Sequence, residues 1–174
     1  MTISTMSELF IHGLQDVYYA ENQVLKALQE VMPQIAEPAL VDLLEHHVDE
    51  TREQIVRLEQ IFKRLGQTPQ GATCQAVLGL IEEGQELQRS ITNRQVLDTA
   101  VLASMQAIEH YEINRYGTLI AWASELKRQG AQNTPSGEVD IVDLLQLSLD
   151  EERGQDARLT ALADSKVNRH ATRG

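Results

Sequence analysis

Apolar residues along this chain recur every three to four positions, the spacing of helices that bury one stripe, and strand-like alternation is absent. The first stripe opens after Thr5, where Thr5-x-x-Glu8 has the form of a capping box. It runs through Phe10, Leu14, Val17, Glu21, Leu25 and Leu28 and stops near Met32-Pro33. Pro38, favoured in a first helical turn, opens a second helix with Leu40, Leu44, His47, Glu50, Gln54, Leu58 and Ile61 on its inner face. Its end is written as Lys63-Arg64-Leu65-Gly66: two cations for the negative end of the helix dipole, and a glycine beyond. Gln67 to Thr73, with Pro69 and Gly71, reads as a linker. A shorter helix follows, from about Cys74 to Ser90, carrying Val77, Leu78, Ile81 and Leu87. Thr92 or Asn93 caps a fourth helix, whose inner face reads Val101, Met105, Glu109, Glu112, Tyr116, Leu119, Ala123 and Leu126. Lys127-Arg128-Gln129-Gly130 repeats the earlier stop signal. Beyond a polar loop, Ala131 to Ser136, the last helix aligns Ile141, Leu145, Ser148, Glu152, Asp156 (or Gln155), Leu159 and Leu162.

Four long helices and one short one make two antiparallel hairpins. The span joining them, 66 to 93, is about 28 residues and includes the short helix, enough to run the length of a bundle. An up-and-down bundle needs only a short loop there. The expected fold is therefore all-α, a ferritin-like four-helix bundle with a long crossover carrying a short fifth helix. Residues 1–168 are expected to form one domain, with 169–174 a disordered tail.

Each long helix has its apolar stripe interrupted by polar residues near the middle: Glu21; His47, Glu50 and Gln54; Glu109 and Glu112; Glu152 with Glu151 or Asp156 beside it. The heights match. Glu21 lies about 14 residues before the first turn and Glu50 about 15 after it, so at a rise of about 1.5 Å per residue they stand level. Glu112 and Glu152 lie about 22 and 18 residues either side of the second turn, a mismatch of about one helical turn. His47-x-x-Glu50 and Glu109-x-x-Glu112 are i,i+3 pairs, so both members can face one centre. Unpartnered buried carboxylates cost several kcal/mol each, and a pair of metal ions would compensate them. All four tyrosines flank these positions: Tyr18 and Tyr19 beside Glu21, Tyr111 and Tyr116 around Glu112. His12, His46 and His170 read as surface residues, and His110 points about 100° from Glu109. Cys74, Met105 and Trp122 read as core.

Composition narrows the partners. At 174 residues the chain is the length of one domain, able to bury roughly 70% of its unfolded surface without staples. The single cysteine cannot form an intrachain disulfide. A net charge of −11 repels phosphate backbones and favours cations, so no nucleic-acid partner is expected. Met1-Thr2-Ile3-Ser4-Thr5-Met6-Ser7-Glu8 has no basic segment leading into an apolar one, and no apolar run is of membrane-crossing length. A soluble cytoplasmic protein with no membrane association is the expectation.

At these residues the chain resembles the ferritin-like stress-protein family typified by the bacterial YciE and YciF proteins. The resemblance spans about residues 7 to 165. It is carried by Asp16-Val17-Tyr18-Tyr19-Ala20-Glu21-Asn22-Gln23, by His47-Val48-Asp49-Glu50-Thr51 with Gln54, by Glu109-His110-Tyr111-Glu112-Ile113 with Tyr116-Gly117-Thr118-Leu119, and by Asp150-Glu151-Glu152. Cys74 with Gly79-Leu80-Ile81-Glu82-Glu83 is similar to the family's crossover helix. The resemblance implies a ferritin-like bundle, a homodimer, a dimetal centre and a role in stress tolerance, and it supplies no reaction. Its metal site falls on Glu21, His47, Glu50, Glu109, Glu112 and Glu152. One departure stands out. Dimetal carboxylate bundles supply Glu-x-x-His from two helices, and this sequence contains none. His47-x-x-Glu50 reverses the order, and Gln155 holds the second histidine's position, leaving Glu109 as its replacement. Such an oxygen-rich site makes manganese a competitor to iron.

The leading expectation is a dimetal protein holding two iron or manganese ions and acting in oxidative or osmotic stress by ferrous oxidation or peroxide consumption. Glu50 and Glu112 would bridge, Glu21 and Glu152 would be terminal ligands, His47 would supply nitrogen, and Glu109 an extra carboxylate. Whether the protein is an enzyme, a dimetal oxidoreductase, stays open. The alternative is a non-catalytic dimeric helical module with a buried polar network. A ferritin cage is a third, less favoured reading.

Overall fold

The computed structural model describes residues 2–130 and 139–172; the expected loop at 131–136 lies outside them. Regular structure among the described residues is entirely helical. Helix α1 (Met6–Val31) starts on the capping box, Glu8 N donating to Thr5 Oγ1 at 3.1 Å and Thr5 N to Glu8 Oε2 at 2.9 Å. Helix α2 (Pro38–Arg64) has its proline in the first turn, and α3 (Gln75–Ser90) is the short crossover helix. Helix α4 (Arg94–Arg128) is capped by Asn93, whose Oδ1 accepts from Gln95 N and Val96 N. Helix α5 (Ile141–Leu162) is followed by a π turn at Ala163–Val167 and by α6 (Asn168–Ala171). Gly66 and Gly130 close α2 and α4 with φ of 66° and 74°, a left-handed conformation that side chains disfavour.

The four long helices form a ring. α1 packs against α2 and α4, α5 packs against the same two, and α3 lies outside on α1 and α4. The crossover is pinned to α1 midway, Ala72 N donating to Gln15 O at 3.1 Å. Gly71 makes that contact possible, since a Cβ there would stand 2.9 Å from Tyr19 Cβ. The expected ferritin-like bundle with a helical crossover is the observed fold.

The core is split into two apolar halves. One gathers Val24, Leu28, Leu40, Leu44, Val101, Met105 and Leu159 toward the α1–α2 turn. The other gathers Phe10, Leu14, Leu58, Phe62, Leu119, Leu126 and Leu145 toward the opposite end. Between them lies a buried polar layer of Glu21, His47, Thr51, Gln54, Glu109, Glu112, Ser148, Glu152 and Gln155. Cys74 and Met105 are core, while Trp122 is only partly buried and Leu87 is exposed.

Val24 rather than Leu25 lies fully in the core, and of the two alternatives left open in α5 it is Gln155 that faces inward. The segment expected to be a tail from 169 is helical as far as Ala171, and 173–174 lie outside the described residues. Buried Val167 anchors it, and Lys166 and His170 reach Glu37 at 3.3 and 3.5 Å. The turn between α1 and α2 is held by Asp98, a buried carboxylate accepting from Ala36 N and Glu37 N, both at 2.9 Å.

Candidate metal centre

Helical periodicity alone brings the polar layer together. On α4, Glu109, Glu112 and Tyr116 follow at i, i+3 and i+7 between Met105 and Leu119, so the stripe that buries apolar residues also buries these acids. α2 contributes His47, Thr51 and Gln54, α5 contributes Ser148, Glu152 and Gln155, and α1 contributes Glu21. His47, Glu109, Glu112 and Glu152 each offer a ligand atom, and these atoms lie within 4.8 Å of one another. His47 Nε2 is 3.1 Å from Glu109 Oε1. Glu21 is buried beside them: its Oε1 accepts from Tyr116 OH at 2.5 Å, and its Oε2 has no donor. Gln54 Nε2 donates to Glu152 Oε1.

The shortage of donors is pronounced. Both oxygens of Glu112, Glu109 Oε2, Glu21 Oε2 and Glu152 Oε2 are buried without a hydrogen bond from the protein, and Glu109 Oε1 has only the His47 ring beside it. Buried carboxylate oxygens are almost always paired, so this concentration in one layer calls for protons or cations. The electrostatics say the same. Burial pushes Glu21 up to about 7 despite the Tyr116 hydrogen bond and nearby His47. Burial also holds Glu112 well above the usual carboxylate range, reinforced by Glu21 and Glu109, and does the same to Glu152 with Glu112 and Glu109 as neighbours. For His47 burial disfavours the charged ring, but the Glu109 carboxylate outweighs it and raises the imidazole to about 10.

Of the six residues read as ligands from sequence, four converge, Glu21 lies buried beside them on its Tyr116 hydrogen bond, and Glu50 is held at the rim. The expected bridging role is not met in this geometry. Its carboxylate accepts from Arg158 Nη2 at 2.9 and 3.1 Å and lies 3.0 Å from His46 Nε2, while Oε2 remains 3.7 Å from His47 Nδ1. Burial pushes the Glu50 carboxyl up, but His47 first, then Arg158 and His46, outweigh it and hold the group below the usual range. His110 points outward, 3.3 Å from Asp156, and His12 is exposed. Among the tyrosines only Tyr116 bonds to the acids of this layer. Tyr18 donates to Glu59, and Tyr111 donates to Asp16 and meets Cys74 Sγ at 2.9 Å. Sequence reasoning missed Thr51, Arg57 and Arg158. Arg57 joins α2 to Ser148 and Glu151 of α5.

Fold and site together define a ferritin-like helical bundle with an acidic centre inside it. The chain belongs to the family described as a domain of unknown function (DUF892), whose model matches residues 5–172. Protein YciF of Escherichia coli strain K12 is 35% identical over 172 residues, 98% of each chain. The crystal structure of the E. coli stress protein YciF aligns with a TM-score of 0.83 and 34% identity, over 95% of this chain and 99% of that one. YcfI of Rhodopseudomonas palustris, for which a structural role has been suggested, aligns with a TM-score of 0.82 and 47% identity, over 91% of this chain and 94% of that one. The motif-level resemblance to YciF is thus matched over the whole fold. No helix among the described residues is long and apolar enough to cross a membrane.

Proposed function

We propose that this protein binds a pair of divalent iron or manganese ions in the layer formed by Glu21, His47, Glu109, Glu112 and Glu152, and that it serves in the bacterial stress response as a cytoplasmic homodimer. The orphaned oxygens of Glu112, together with Glu109 Oε2, carry this reading. Four buried carboxylates around one imidazole hold up to four negative charges when ionised, which two divalent cations balance. The donor set fits iron or manganese: mostly hard oxygen, with His47 the one nitrogen ligand. A metal pair in such a site would supply ferrous oxidation or peroxide consumption. The protein's own residues orient and shield it. Tyr116 fixes Glu21 through its hydroxyl, Gln54 fixes Glu152, and the apolar layers above and below exclude water. The stress role is supported by kinship with YciF, which is described as a stress protein.

Metal analysis of protein purified without chelator and loaded anaerobically with ferrous iron tests this. About two equivalents per chain are expected, and less than about a tenth of an equivalent of any transition metal would overturn it. The second reading, a non-catalytic module in which the same layer is a polar network, draws on the Tyr116–Glu21 and Gln54–Glu152 hydrogen bonds. Glu112→Gln separates the two. The metal reading expects loss of metal and of stress protection with the melting temperature kept, whereas the network reading expects protection to persist.

A further inference from the structure

The four buried acids are sealed, but Glu50 is not. Its side chain is 13% exposed, one oxygen faces His46 outside, and the other lies 3.7 Å from His47 Nδ1 inside. Its carboxylate therefore spans from solvent to the edge of the centre. A fixed cation already occupies it: Arg158, 40% exposed, places Nη2 against both oxygens and turns Nε onto Gln155 Oε1 at 3.2 Å. Gln155 is itself buried, with its Nε2 lacking an acceptor. The guanidinium thus bridges α2 and α5 at the rim, tied to two side chains that border the acids. Gly154 gives it room, since a Cβ there would stand 3.3 Å from Arg158 Nη1.

We propose that Arg158 is the counter-ion of Glu50 in the metal-free protein, exchanged for a divalent cation when one reaches the centre and Glu50 turns from the rim toward His47. This rests on the metal-binding reading above. It follows from charge placement. A carboxylate with one guanidinium nitrogen against both of its oxygens has less to offer an incoming cation, and the guanidinium repels that cation as well. Glu50 can join the other ligands only after Arg158 lets go, so the strength of the pair is subtracted from metal affinity. Arg158 is a positioning residue here, acting through Glu50.

Anaerobic titration of the metal-free full-length protein with Co2+, followed by visible absorption, measures the exchange. Arg158→Gln should bind Co2+ roughly three- to tenfold more tightly, the factor expected from releasing one partly exposed ion pair. In a Glu50→Gln background the same replacement should change affinity by less than about twofold, because the coupling runs through Glu50. Gly154→Ala, which crowds the guanidinium while favouring the helix, should shift affinity the same way by a smaller factor. Unchanged or weaker binding by Arg158→Gln would overturn the exchange, and so would weaker binding by Gly154→Ala. A gain that persists without Glu50 would overturn it too, since the effect would then be through-space repulsion alone. Wild-type protein that takes up no Co2+ would instead remove the metal reading itself, and the exchange with it.

Discussion

Replacing Glu21 with glutamine should stabilise the metal-free protein, by an amount that grows as pH rises from about 4.5 to about 7. Glutamine keeps the shape and keeps an oxygen to accept from Tyr116 OH, but it removes a charge that sits wholly inside the bundle. The folded protein raises Glu21 from 4.5 to about 7. A carboxyl raised on folding contributes stability that is fully present below its unfolded value and lost as pH climbs through the folded one. A shift of about 2.5 units at about 1.4 kcal/mol each puts that loss on the order of 3 kcal/mol between pH 4.5 and 7. His47 acts in the same sense, because a histidine raised from 6.5 to about 10 also gives up stability as pH rises between those values. For a chain of this length, 3 kcal/mol corresponds to about 6–12 °C in melting temperature. Calorimetric melts of chelator-treated protein at pH 5 and pH 8, at constant ionic strength, should show the wild type falling steeply. Glu21→Gln should lie only slightly above it at pH 5 and melt about 6–12 °C above it at pH 8. General repulsion among surface charges would lower both proteins alike, so the difference between them isolates Glu21. A wild type whose stability is flat or rises over this range, or a variant less stable at pH 8, would refute the view that these acids are desolvated and under strain without a cation.

Other consequences can be checked on the same protein. The stabilisation conferred by Mn2+ should grow from pH 5 to pH 8, because the ligands must shed protons to bind; a shift in melting temperature independent of pH would contradict this. Asp98→Ala removes the acceptor for two backbone N–H groups of the α1–α2 turn and should cost roughly 1–3 kcal/mol in urea unfolding, while Asp98→Asn should recover part of it. Gly71→Ala would bring a Cβ to 2.9 Å from Tyr19 Cβ and 3.2 Å from its Cα, too close for a rotamer change to relieve. A loss of about 1–3 kcal/mol with faster hydrogen exchange at Ala72 is expected.

How much of this was legible in the sequence depended on the range of the interaction that decides each feature. Helix limits are local. Thr5 with Glu8, Pro38, Asn93, Gly66 and Gly130 each satisfy backbone groups within a few residues, and the structure places the ends where those residues put them. The acid layer was legible because an acid on an apolar stripe must go where the stripe goes, and loop positions set the heights. The fate of Glu50 was not. Its partner Arg158 lies over a hundred positions away, and the α2 stripe runs at i, i+3 and i+4 whether or not the carboxylate turns outward. The sequence left Gln155 and Asp156 open for a similar reason. Adjacent helical positions differ by about 100°, and the register of α5 is settled by what packs on it, with Asp156 drawn outward toward His110. The residues from 169 onward look polar enough to fray, yet those described are helical to Ala171. Val167, with Lys166 and His170 reaching Glu37, is what keeps them helical.

Crystals grown metal-free and soaked with Mn2+, with anomalous difference maps collected in matched pairs, test the metal reading most directly. Two peaks about 3.5–4 Å apart are predicted in the layer enclosed by His47, Glu109, Glu112 and Glu152, both absent from Glu112→Gln or reduced to one. Maps without a peak there, in crystals whose surface sites do take up Mn2+, would mean that these carboxylates are neutralised by protons, and the proposed metal centre would fall.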